Sequence, residues 1–192
     1  MKTLSIIVPV YNESRTLVQA LHAAEDSDIG LMRKELVVVD DCSTDGSQII
    51  VGGYQAKNKS TAYTARLHTR NRGKGAALCT GFAACSGDFI IVQDADLEYD
   101  PRDYPRLLQP LIEGHADVVY GSRFISNEPR RVLNNHHYLA NRGLTLLSNL
   151  FTNLNLSDME TGYKAFSRAA LETILPRLSA ERFGIEVEIT AR

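Results

Sequence analysis

The sequence has few of the features that would assign its 192 residues to several common classes of protein. Its three cysteines, Cys42, Cys79 and Cys85, form no CxxC pair, and an odd number is a poor disulfide framework. We therefore expect reduced thiols in a cytosolic protein. No apolar run approaches the ~18 residues that a membrane-spanning helix needs, and the N-terminus does not resemble a signal peptide. These absences predict a soluble or at most peripheral protein.

Strong charge and the common nucleotide-binding signatures are also missing. The formal net charge of −2 gives no reason to expect a nucleic acid as partner. Neither GxxxxGK[ST] nor GxGxxG occurs, which excludes a P-loop and argues against a dinucleotide-dependent dehydrogenase. No Ser/His/Asp set has a spacing that indicates a nucleophile, and His136 and His137 lack a third zinc-type ligand nearby.

What the sequence does contain is an alternation of apolar runs with helical patterns. Short, β-branched and nearly continuous apolar runs are typical of strands covered on both faces. The predicted strands are Leu4–Val10, Glu35–Asp41, Thr61–His68 (the weakest), Phe89–Asp96 and Ala116–Phe124. The predicted helices are Glu13–Asp26, Ser43–Lys57, Gly75–Cys85 and Asp103–Glu113. This order predicts an α/β fold, in which crossover helices cover both faces of a mostly parallel sheet.

Four of the predicted strands end in segments that contain polar or charged residues. In open α/β sheets, ligands bind beyond the carboxyl ends of the strands. The residues there are those of Pro9–Glu13, Asp40–Asp41, Asp94–Asp96 and Gly121–Arg123. We therefore expect these four segments to form one site.

The third of these segments starts a run of four acids in seven positions, Asp94, Asp96, Glu98 and Asp100. Two like charges roughly 6.5 Å apart repel by on the order of 2–3 kcal/mol at an effective dielectric of about 20. If the strand continues to Asp96, its alternation puts Asp94 and Asp96 on one side, where their oxygens suit Mg²⁺ or Mn²⁺. The alternative is a solvated acidic loop before a helix, whose dipole favours acids at its start. That alternative does not explain acids directly after a buried strand.

Three further segments each allow two interpretations. Asp40 and Asp41 could accept hydrogen bonds from a ribose or a base, or could cap the next helix. Residues 71–78, NRGKGAAL, place Lys74 between glycines before a helix, which suits a phosphate or simply a surface loop. Residues 123–142 contain four arginines and one acid, a local charge of +3 that could meet a phosphate or form a solvated face.

Seven motifs occur in the order seen in family 2 glycosyltransferases, and the chain most resembles the polyprenyl-phosphate (dolichyl-phosphate) mannosyl/glucosyl transferase group. The motifs are IIVPVYNE, VVVDDCSTDGS, NRGKGAAL, QDADLEYDP, YGSRF, SDMETGYKAF and RFGIEVEITAR. The resemblance implies a GT-A (Rossmann-like) fold and a GDP- or UDP-linked sugar donor. It also implies inverting transfer of a hexose to a polyprenyl phosphate at the cytoplasmic face of a membrane, with peripheral membrane contact. A homo-oligomer is compatible with it.

The resemblance also assigns roles to particular residues. It implies that the nucleoside is bound by Pro9, Tyr11, Glu13, Val39 and Asp41. Asp94, Ala95 and Asp96 match the DxD motif, which binds the diphosphate through the metal, and Glu98 stands at a further metal-ligand position. Arg123 matches an arginine that contacts the donor, and Arg131 and Arg142 are candidates for the acceptor phosphate. We add Lys74 to the donor site, and expect Asp96, Arg123, Arg131 and Arg142 to support catalysis.

The chemistry of transfer agrees with these residues. Negative charge develops on the leaving diphosphate, and a metal with arginine or lysine stabilises it. A phosphate acceptor is already an anion and needs no general base. An alcohol acceptor on a saccharide or a protein would need one, for which Asp158 and Glu160 are the candidates. The remaining alternative is a nucleotide-sugar-binding module without activity.

Three expectations concern the second half of the chain. We expect one domain over residues 1–192, with a nucleotide-sugar-binding half (1–125) and an acceptor-side half (126–192) that is truncated relative to the family. Residues 183–189 alternate as in a strand, but the resemblance implies a helix, which we adopt. The apolar stretch Leu139–Leu156 could contact lipid or belong to the core, and we favour the core.

Overall fold

The computed structural model describes residues 1–124, 135–182 and 184–192, with the backbone alone for residues 135–137. Six strands form its sheet: β1 (Thr3–Val10), β2 (Arg33–Asp40), β3 (Ala62–Leu67), β4 (Phe89–Val92), β5 (Val118–Tyr120) and β6 (Lys164–Ser167). Their order is β3-β2-β1-β4-β6-β5. The first four strands run parallel, and β6 is antiparallel to both of its neighbours. The predicted mostly parallel sheet is confirmed.

Helices cover both faces of this sheet, as predicted. They are α1 (Leu17–Asp26), α2 (Ser47–Gly53), α3 (Lys74–Ala84), α4 (Tyr104–Ile112), α5 (Asn135–Thr152), α6 (Arg168–Ile174) and α7 (Ile185–Ala191). Short 3₁₀ turns cover Pro101–Asp103 and Leu175–Arg177. Helices α1, α2 and α4 pack into one core and α3, α6 and α7 into the other.

The continuous apolar runs of the central strands follow from this double covering. Ile6 and Val38 lie in the first core, whereas Ile7 and Val37, their neighbours in sequence, lie in the second. All four side chains are fully buried. Because successive strand residues point to opposite faces, a strand covered on both sides must be apolar at every position.

The fourth strand is shorter than predicted and ends at Val92 rather than Asp96. The side-chain amide of Gln93 donates to the carbonyl oxygens of Asp94 and Tyr99 at 3.1 and 3.2 Å, which ties the chain into a turn. Leu97 then adopts a left-handed conformation with φ of 63°. Strand alternation therefore does not relate Asp94 to Asp96, and the argument that it puts them on one side was wrong.

The last described helix decides between two predictions for the same residues, a strand from the alternating pattern and a helix from the resemblance. The alternating pattern of residues 183–189 indicated a strand, but residues 185–191 form α7, as the resemblance implied. Ile185 and Ile189 lie four positions apart and are buried in the second core. Glu186 and Thr190 share the same spacing and are also buried. A helix buries both pairs together because residues four apart lie on one side of it.

Helix α5 does not belong to the core, contrary to our preference. Leu146, Leu150 and Phe151 are 71%, 75% and 84% exposed, and Leu147 is 53% exposed. Within the described ranges, no helix combines the length and apolar character needed to cross a bilayer. The apolar residues of α5 therefore form an exposed surface.

The tight contact between α3 and β1 yields a test of the packing. A Cβ added at Gly81 would lie 2.4 Å from Cγ2 of Ile7, a branched side chain in the middle of the sheet. We expect Gly81→Ala to lower the free energy of unfolding by about 1–3 kcal/mol, because the buried core cannot accept the added methyl group. Urea denaturation measures this.

Gly143→Ala is the matched control, since Gly143 lies within α5 and a Cβ there would meet nothing within 4 Å. We expect it to leave stability unchanged or raise it by up to ~1 kcal/mol, through helix propensity alone. Equal effects of the two substitutions would contradict the packing described here.

Candidate active site

Asp41 fixes the loop that leads into α3. Its carboxylate is 2% exposed and accepts hydrogen bonds from the backbone N–H groups of Arg72 at 2.9 Å and Gly73 at 2.6 Å. His68 Nδ1 lies 2.7 Å from the same carboxylate, and His68 Nε2 lies 2.9 Å from Thr80 Oγ1. Asp41 therefore already has three protein partners, and its role toward a nucleoside stays a prediction.

The two carboxylate oxygens of Asp40 differ, because one accepts a hydrogen bond within a turn and the other has no partner among the described residues. One oxygen accepts a hydrogen bond from the backbone N–H of Ser43 at 3.0 Å. Helix α2 begins at Ser47 with Gly46 as its N-cap, so Asp40 closes the preceding turn and does not cap the helix, contrary to the capping interpretation. The other oxygen, Oδ1, is buried and has no hydrogen-bond partner among the described residues. An unsatisfied buried acceptor costs about 1–3 kcal/mol, so a ligand donor at this position would be stabilising.

The loops after β1 and β2 are joined by hydrogen bonds. The backbone N–H groups of Asn12 and Glu13 donate to the hydroxyls of Ser43 and Ser47, both at 2.9 Å. The backbone N–H of Thr44 donates to Asn12 Oδ1 at 2.8 Å. With a hydrogen bond from the backbone N–H of Ser14 to Asp45 Oδ2 at 2.9 Å, these contacts use residues 12–14 for loop pairing. Helix α1 begins after them, at Leu17 rather than at Glu13.

The residues predicted to bind the nucleoside differ in what they can offer. Tyr11 is about half exposed, at 49%, and Pro9 is half-buried. Glu13 is half-buried and accepts a hydrogen bond from Thr16 Oγ1 at 3.0 Å. Val39 is fully buried within β2 and could offer a ligand only its backbone. All four assignments stay predictions.

Lys74, the first residue of α3, connects the loop to two carboxylates. Its Nζ lies 2.9 and 3.0 Å from the two oxygens of Asp94, and 3.3 Å from Glu186 Oε1. Burial alone would lower the pKa of Lys74, but Asp94 and Glu186 outweigh it, so this pKa is raised above its usual value. The lysine therefore carries its charge at the carboxyl end of the sheet.

The glycines on either side of Lys74 allow its loop to approach residues 180–182. Gly73 has φ of 95°, and a Cβ there would lie 2.5 Å from the carbonyl oxygen of Glu181. A Cβ on Gly75 would lie 2.1 Å from the carbonyl oxygen of Ala180. The NRGKG sequence is therefore needed for packing as well as for any contact with phosphate.

Asp94 is enclosed by a second glycine-containing segment. A Cβ on Gly162 would lie 2.2 Å from Asp94 Oδ2, so a side chain at this position would displace the carboxylate from its present place. The backbone N–H of Gly162 donates to the hydroxyl oxygen of Tyr99 at 2.9 Å. The TGYK motif thus forms one wall of the space around Asp94.

The three positions of the DxD motif have different environments. Asp94 is bound to Lys74, Ala95 is buried, and Asp96 is exposed. Asp96 Oδ1 accepts a hydrogen bond from the backbone N–H of Glu98 at 3.0 Å. Among the described residues, no group of three His, Cys, Asp or Glu side chains is close enough to hold a metal ion. One or two carboxylates still suit Mg²⁺ or Mn²⁺, which take further ligands from water and substrate phosphates.

Arg123 forms a two-point ion pair with the buried carboxylate of Asp158. Arg123 Nε lies 2.8 Å and Nη2 lies 2.9 Å from the two oxygens of Asp158, which is 1% exposed. Asn141 Nδ2 donates to the same carboxylate at 3.1 Å. The hydrogen bonds that Arg123 donates to Asp158 raise the pKa of Arg123. Because donors occupy both oxygens of Asp158, this carboxylate is poorly suited to act as a general base.

Glu160 has the opposite character. It is half-buried, and neither a hydrogen bond nor an ion pair involves its carboxylate within the described part of the chain. Burial, with a smaller effect from nearby Glu186, raises the pKa of Glu160. Of the two candidate bases, Glu160 is the one whose carboxylate can take up a proton.

Of the two acceptor-side arginines, only Arg142 lies within the described residues, and Arg131 lies outside them. The guanidinium of Arg142 lies 5.7 Å from the centre of the Tyr138 ring, and its Nη1 donates to the Tyr138 hydroxyl at 3.1 Å. Arg142 borders a cleft of about 340 Å³. The other residues of this cleft are Phe124, Tyr138, Thr145, Leu146, Asn149, Leu156 and Ser157.

Comparison with known proteins assigns this arrangement to a family. The family model described as glycosyl transferase family 2 matches residues 5–175, which is most of the chain. The chain belongs to glycosyl transferase family 2. The resemblance stated from the seven motifs is thereby confirmed.

The curated relatives include transferases that act on a lipid phosphate. Undecaprenyl-phosphate 4-deoxy-4-formamido-L-arabinose transferase of Pseudomonas savastanoi pv. phaseolicola is 38% identical over 62% of this chain and 35% of its own length. The low-salt glycan biosynthesis hexosyltransferase of Haloferax volcanii is 31% identical over 90% of this chain and 40% of its own length. The chain thus spans less than half the length of either relative.

Solved structures show the same fold. Glucosyl-3-phosphoglycerate synthase of Mycobacterium tuberculosis, crystallised with Mn²⁺, UDP and glucosyl-3-phosphoglycerate, has a TM-score of 0.71 at 25% identity. The comparison covers 98% of this chain and 63% of that one. The GT-A fold that the resemblance implied is confirmed, and a structural relative of this chain has been crystallised with a divalent metal.

Some residues of this site were not found from the sequence. Three of them contact a predicted site residue that is distant in sequence: His68 contacts Asp41, Asn141 contacts Asp158, and Glu186 contacts Lys74. The fourth, Lys164, contacts Glu186. No motif or spacing in the sequence indicates such contacts. The Glu186 position was even assigned by its pattern to a strand, which would have hidden its relation to Lys74.

The Arg123–Asp158 pair yields a stability prediction. We expect Asp158→Asn to lower the free energy of unfolding by about 1–3 kcal/mol, because an amide cannot accept both hydrogen bonds from the guanidinium group and its buried NH2 group would face a donor of Arg123. Urea denaturation at neutral pH measures the loss. Full stability of this variant would show that the pair does not form as described.

Glu160→Gln is the matched control, with the opposite sign. Since the pKa of Glu160 is raised in the folded state, ionisation is unfavourable there, and the penalty is absent below the unfolded pKa and complete above the folded one. We expect the amide to stabilise the protein at about pH 8 and to have little effect at about pH 4. A variant that is less stable at both pH values would contradict the assignment.

Proposed function

We propose that this chain is the catalytic domain of a metal-dependent, inverting glycosyltransferase that moves a hexose from a GDP- or UDP-sugar to a polyprenyl phosphate. The observation that carries the proposal is the juxtaposition of Asp94 and Lys74 at the carboxyl ends of the parallel strands, beside the exposed Asp96. This pairs oxygen ligands for a cation with a positive charge for a diphosphate.

The donor would lie across the ends of β1, β2 and β4. The spare oxygen of Asp40 and the exposed Tyr11 are suited to the nucleoside, and Lys74 to the diphosphate. Asp94, Asp96 and Glu98 would hold Mg²⁺ or Mn²⁺, which supplies positive charge to the leaving diphosphate. The relative crystallised with Mn²⁺ and UDP-glucose supports a uridine donor and a metal of this kind, and GDP remains the second candidate.

The reaction would be a direct displacement. An acceptor phosphate oxygen attacks the anomeric carbon, the bond from that carbon to the diphosphate breaks, and the nucleoside diphosphate leaves with the electron pair. Lys74 and Arg123 would offset its charge from fixed positions, which is where preorganised groups contribute most. No proton has to be removed from a phosphate acceptor.

The relative that acts on undecaprenyl phosphate supports a lipid-phosphate acceptor. Arg142, at the edge of the cleft, would meet its phosphate, together with Arg131. A second candidate is a hydroxyl acceptor on a saccharide or a protein, which the unpaired, half-buried carboxylate of Glu160 favours. The two differ in their need for a base, so Glu160→Gln should abolish transfer to a hydroxyl but not to a phosphate.

The donor site is tested by calorimetry of GDP and UDP binding with Mn²⁺ and then with excess EDTA. We expect one nucleotide to bind only with the metal, and Asp96→Ala to weaken it at least about tenfold, since a charge-assisted contact is worth about 1.5–3 kcal/mol. Asp100→Ala is the control, because Asp100 is an acid of the same run whose carboxylate is bound to Arg102.

Three outcomes would count against this proposal. Nucleotide binding that persists in EDTA would contradict the requirement for a metal. Equal losses of nucleotide affinity in Asp96→Ala and Asp100→Ala would contradict a specific role for Asp96. If neither nucleotide binds, the chain is not a competent donor-binding domain by itself, and the module without activity becomes the better description.

The exposed surface of α5 extends the proposal to the membrane. Leu146, Leu147, Leu150 and Phe151 share one side of the helix, and its 18 residues include no acid. A lipid acceptor is reached only at a bilayer surface, and an apolar, acid-free helix binds such a surface favourably. We propose that α5 lies on the cytoplasmic face of a membrane that contains anionic lipid.

Vesicle flotation tests this contact. We expect the double variant Leu150→Ser/Phe151→Ser to lose most of its binding to anionic vesicles while its unfolding free energy stays within about 0.5 kcal/mol of the parent, because both residues are exposed. Ile49→Ser is the control, since Ile49 is 78% exposed on α2. Equal binding of all three proteins, or no binding by the parent, would refute the contact.

A further inference from the structure

A row of four side chains of alternating charge leads from the candidate site to the last helix. Asp94 contacts Lys74, and Lys74 Nζ lies 3.3 Å from Glu186 Oε1. The other oxygen of Glu186, Oε2, lies 3.0 Å from Lys164 Nζ. The row therefore joins the turn after β4 to α3, α7 and β6, and only its first two members belong to the donor site described above.

The far end of this row is rigid. Lys164 is 1% exposed, and its ammonium group also donates to the carbonyl oxygens of Met159, at 3.2 Å, and Thr161. With Glu186, these partners use all three protons of the ammonium group. Glu186 is itself 5% exposed, and one of its carboxylate oxygens is bound by the immobile ammonium group of Lys164. Its other oxygen, Oε1, contacts Lys74.

Stability alone does not account for this arrangement. Replacing a buried ion pair by apolar residues is often neutral or stabilising, so the row contributes little to folding by itself. Helix α7 is already anchored by Ile185 and Ile189 in the second core. What the charges do fix is the position of one amine, that of Lys74.

We propose that Glu186 and Lys164 are positioning residues that hold the Lys74 ammonium group at the donor diphosphate. The inference rests on the proposed donor site. Without a metal, Asp94 and Glu186 share the lysine. With Asp94 engaged by a cation, Glu186 would keep the lysine in place, and the N–H groups that Asp94 no longer used would be able to donate to a phosphate oxygen.

An electrostatic role and a positioning role of Glu186 predict opposite changes in nucleotide affinity for Glu186→Gln. Removing a negative charge close to a diphosphate should strengthen binding if only the net field matters. If Glu186 acts by holding Lys74, the same change should weaken binding, because the lysine then has to be ordered by the ligand itself. The sign of the change in affinity therefore separates the two explanations.

The first experiment measures the Kd of UDP and GDP with Mn²⁺ by calorimetry. We expect Glu186→Gln to weaken binding about tenfold, as for the loss of one charge-assisted hydrogen bond. Glu188→Gln is the matched control on the same helix, since Glu188 contacts Ser179 and Ala180 instead, and it should bind as the parent does. Lys74→Met and the double variant Lys74→Met/Glu186→Gln should bind equally weakly.

The second experiment needs no ligand. NMR of lysine ammonium groups reports whether the Lys74 amine is ordered, with Lys74→Met identifying its signal. We expect an ordered group in the parent and in Glu188→Gln, and a mobile one in Glu186→Gln. If Glu186→Gln does not fold, Glu186→Gln/Lys164→Met removes the buried pair together and takes its place in both experiments.

The outcomes separate this inference from the donor site. If the parent binds a nucleotide and Glu186→Gln binds it equally or more tightly, the positioning role is wrong and the donor site stands. If the parent binds neither nucleotide while the lysine is ordered by Glu186, the donor site is wrong, and the ordering of Lys74 stands without that use. A mobile Lys74 in the parent would overturn the inference directly.

Discussion

The candidate site depends on the carboxylate of Asp41, which is buried directly after β2 and binds the loop before α3. Its hydrogen bonds to the Arg72 and Gly73 backbone fix where α3 begins, and therefore where Lys74 starts its side chain. A buried carboxylate without these partners would carry a large desolvation cost, so the loop and the carboxylate stabilise each other. The ion pairs of Lys74 with Asp94 and Glu186 follow from that placement.

A second constraint fixes the other side of the site independently. The two-point pairing of Arg123 with Asp158 sets the plane of the guanidinium group, and Asn141 ties the same carboxylate to α5. Both cations of the proposed donor site are thus oriented before any ligand arrives. In a reaction whose leaving group gains negative charge, cations that need no reorganisation are the most effective, so this rigidity suits the proposed transfer.

Much of the fold could be predicted because its rules are local. Doubly covered strands must be continuously apolar, so β1 and β2 were recognisable, and ligand sites at strand ends follow from parallel topology. What failed depends on contacts distant in sequence. The Gln93 side chain ends β4 early, and no pattern reveals that Glu186 meets Lys74 or that α5 stays exposed. The seven motifs identified the family where periodicity alone misread α7.

The exposed helix and the two candidate bases bear on the same choice of acceptor. A lipid phosphate needs a membrane surface and no base, so it gives the apolar side of α5 a function and leaves Glu160 without one. A hydroxyl acceptor needs Glu160 and leaves the exposure of Leu150 and Phe151 unexplained. Because Asp158 is fully engaged by Arg123 and Asn141, it cannot replace Glu160 as the base. Exposing several large apolar side chains on one helix is unfavourable unless something covers them. A single half-buried carboxylate can reduce its cost by taking up a proton, which the raised pKa of Glu160 favours. The physical balance therefore favours the lipid phosphate.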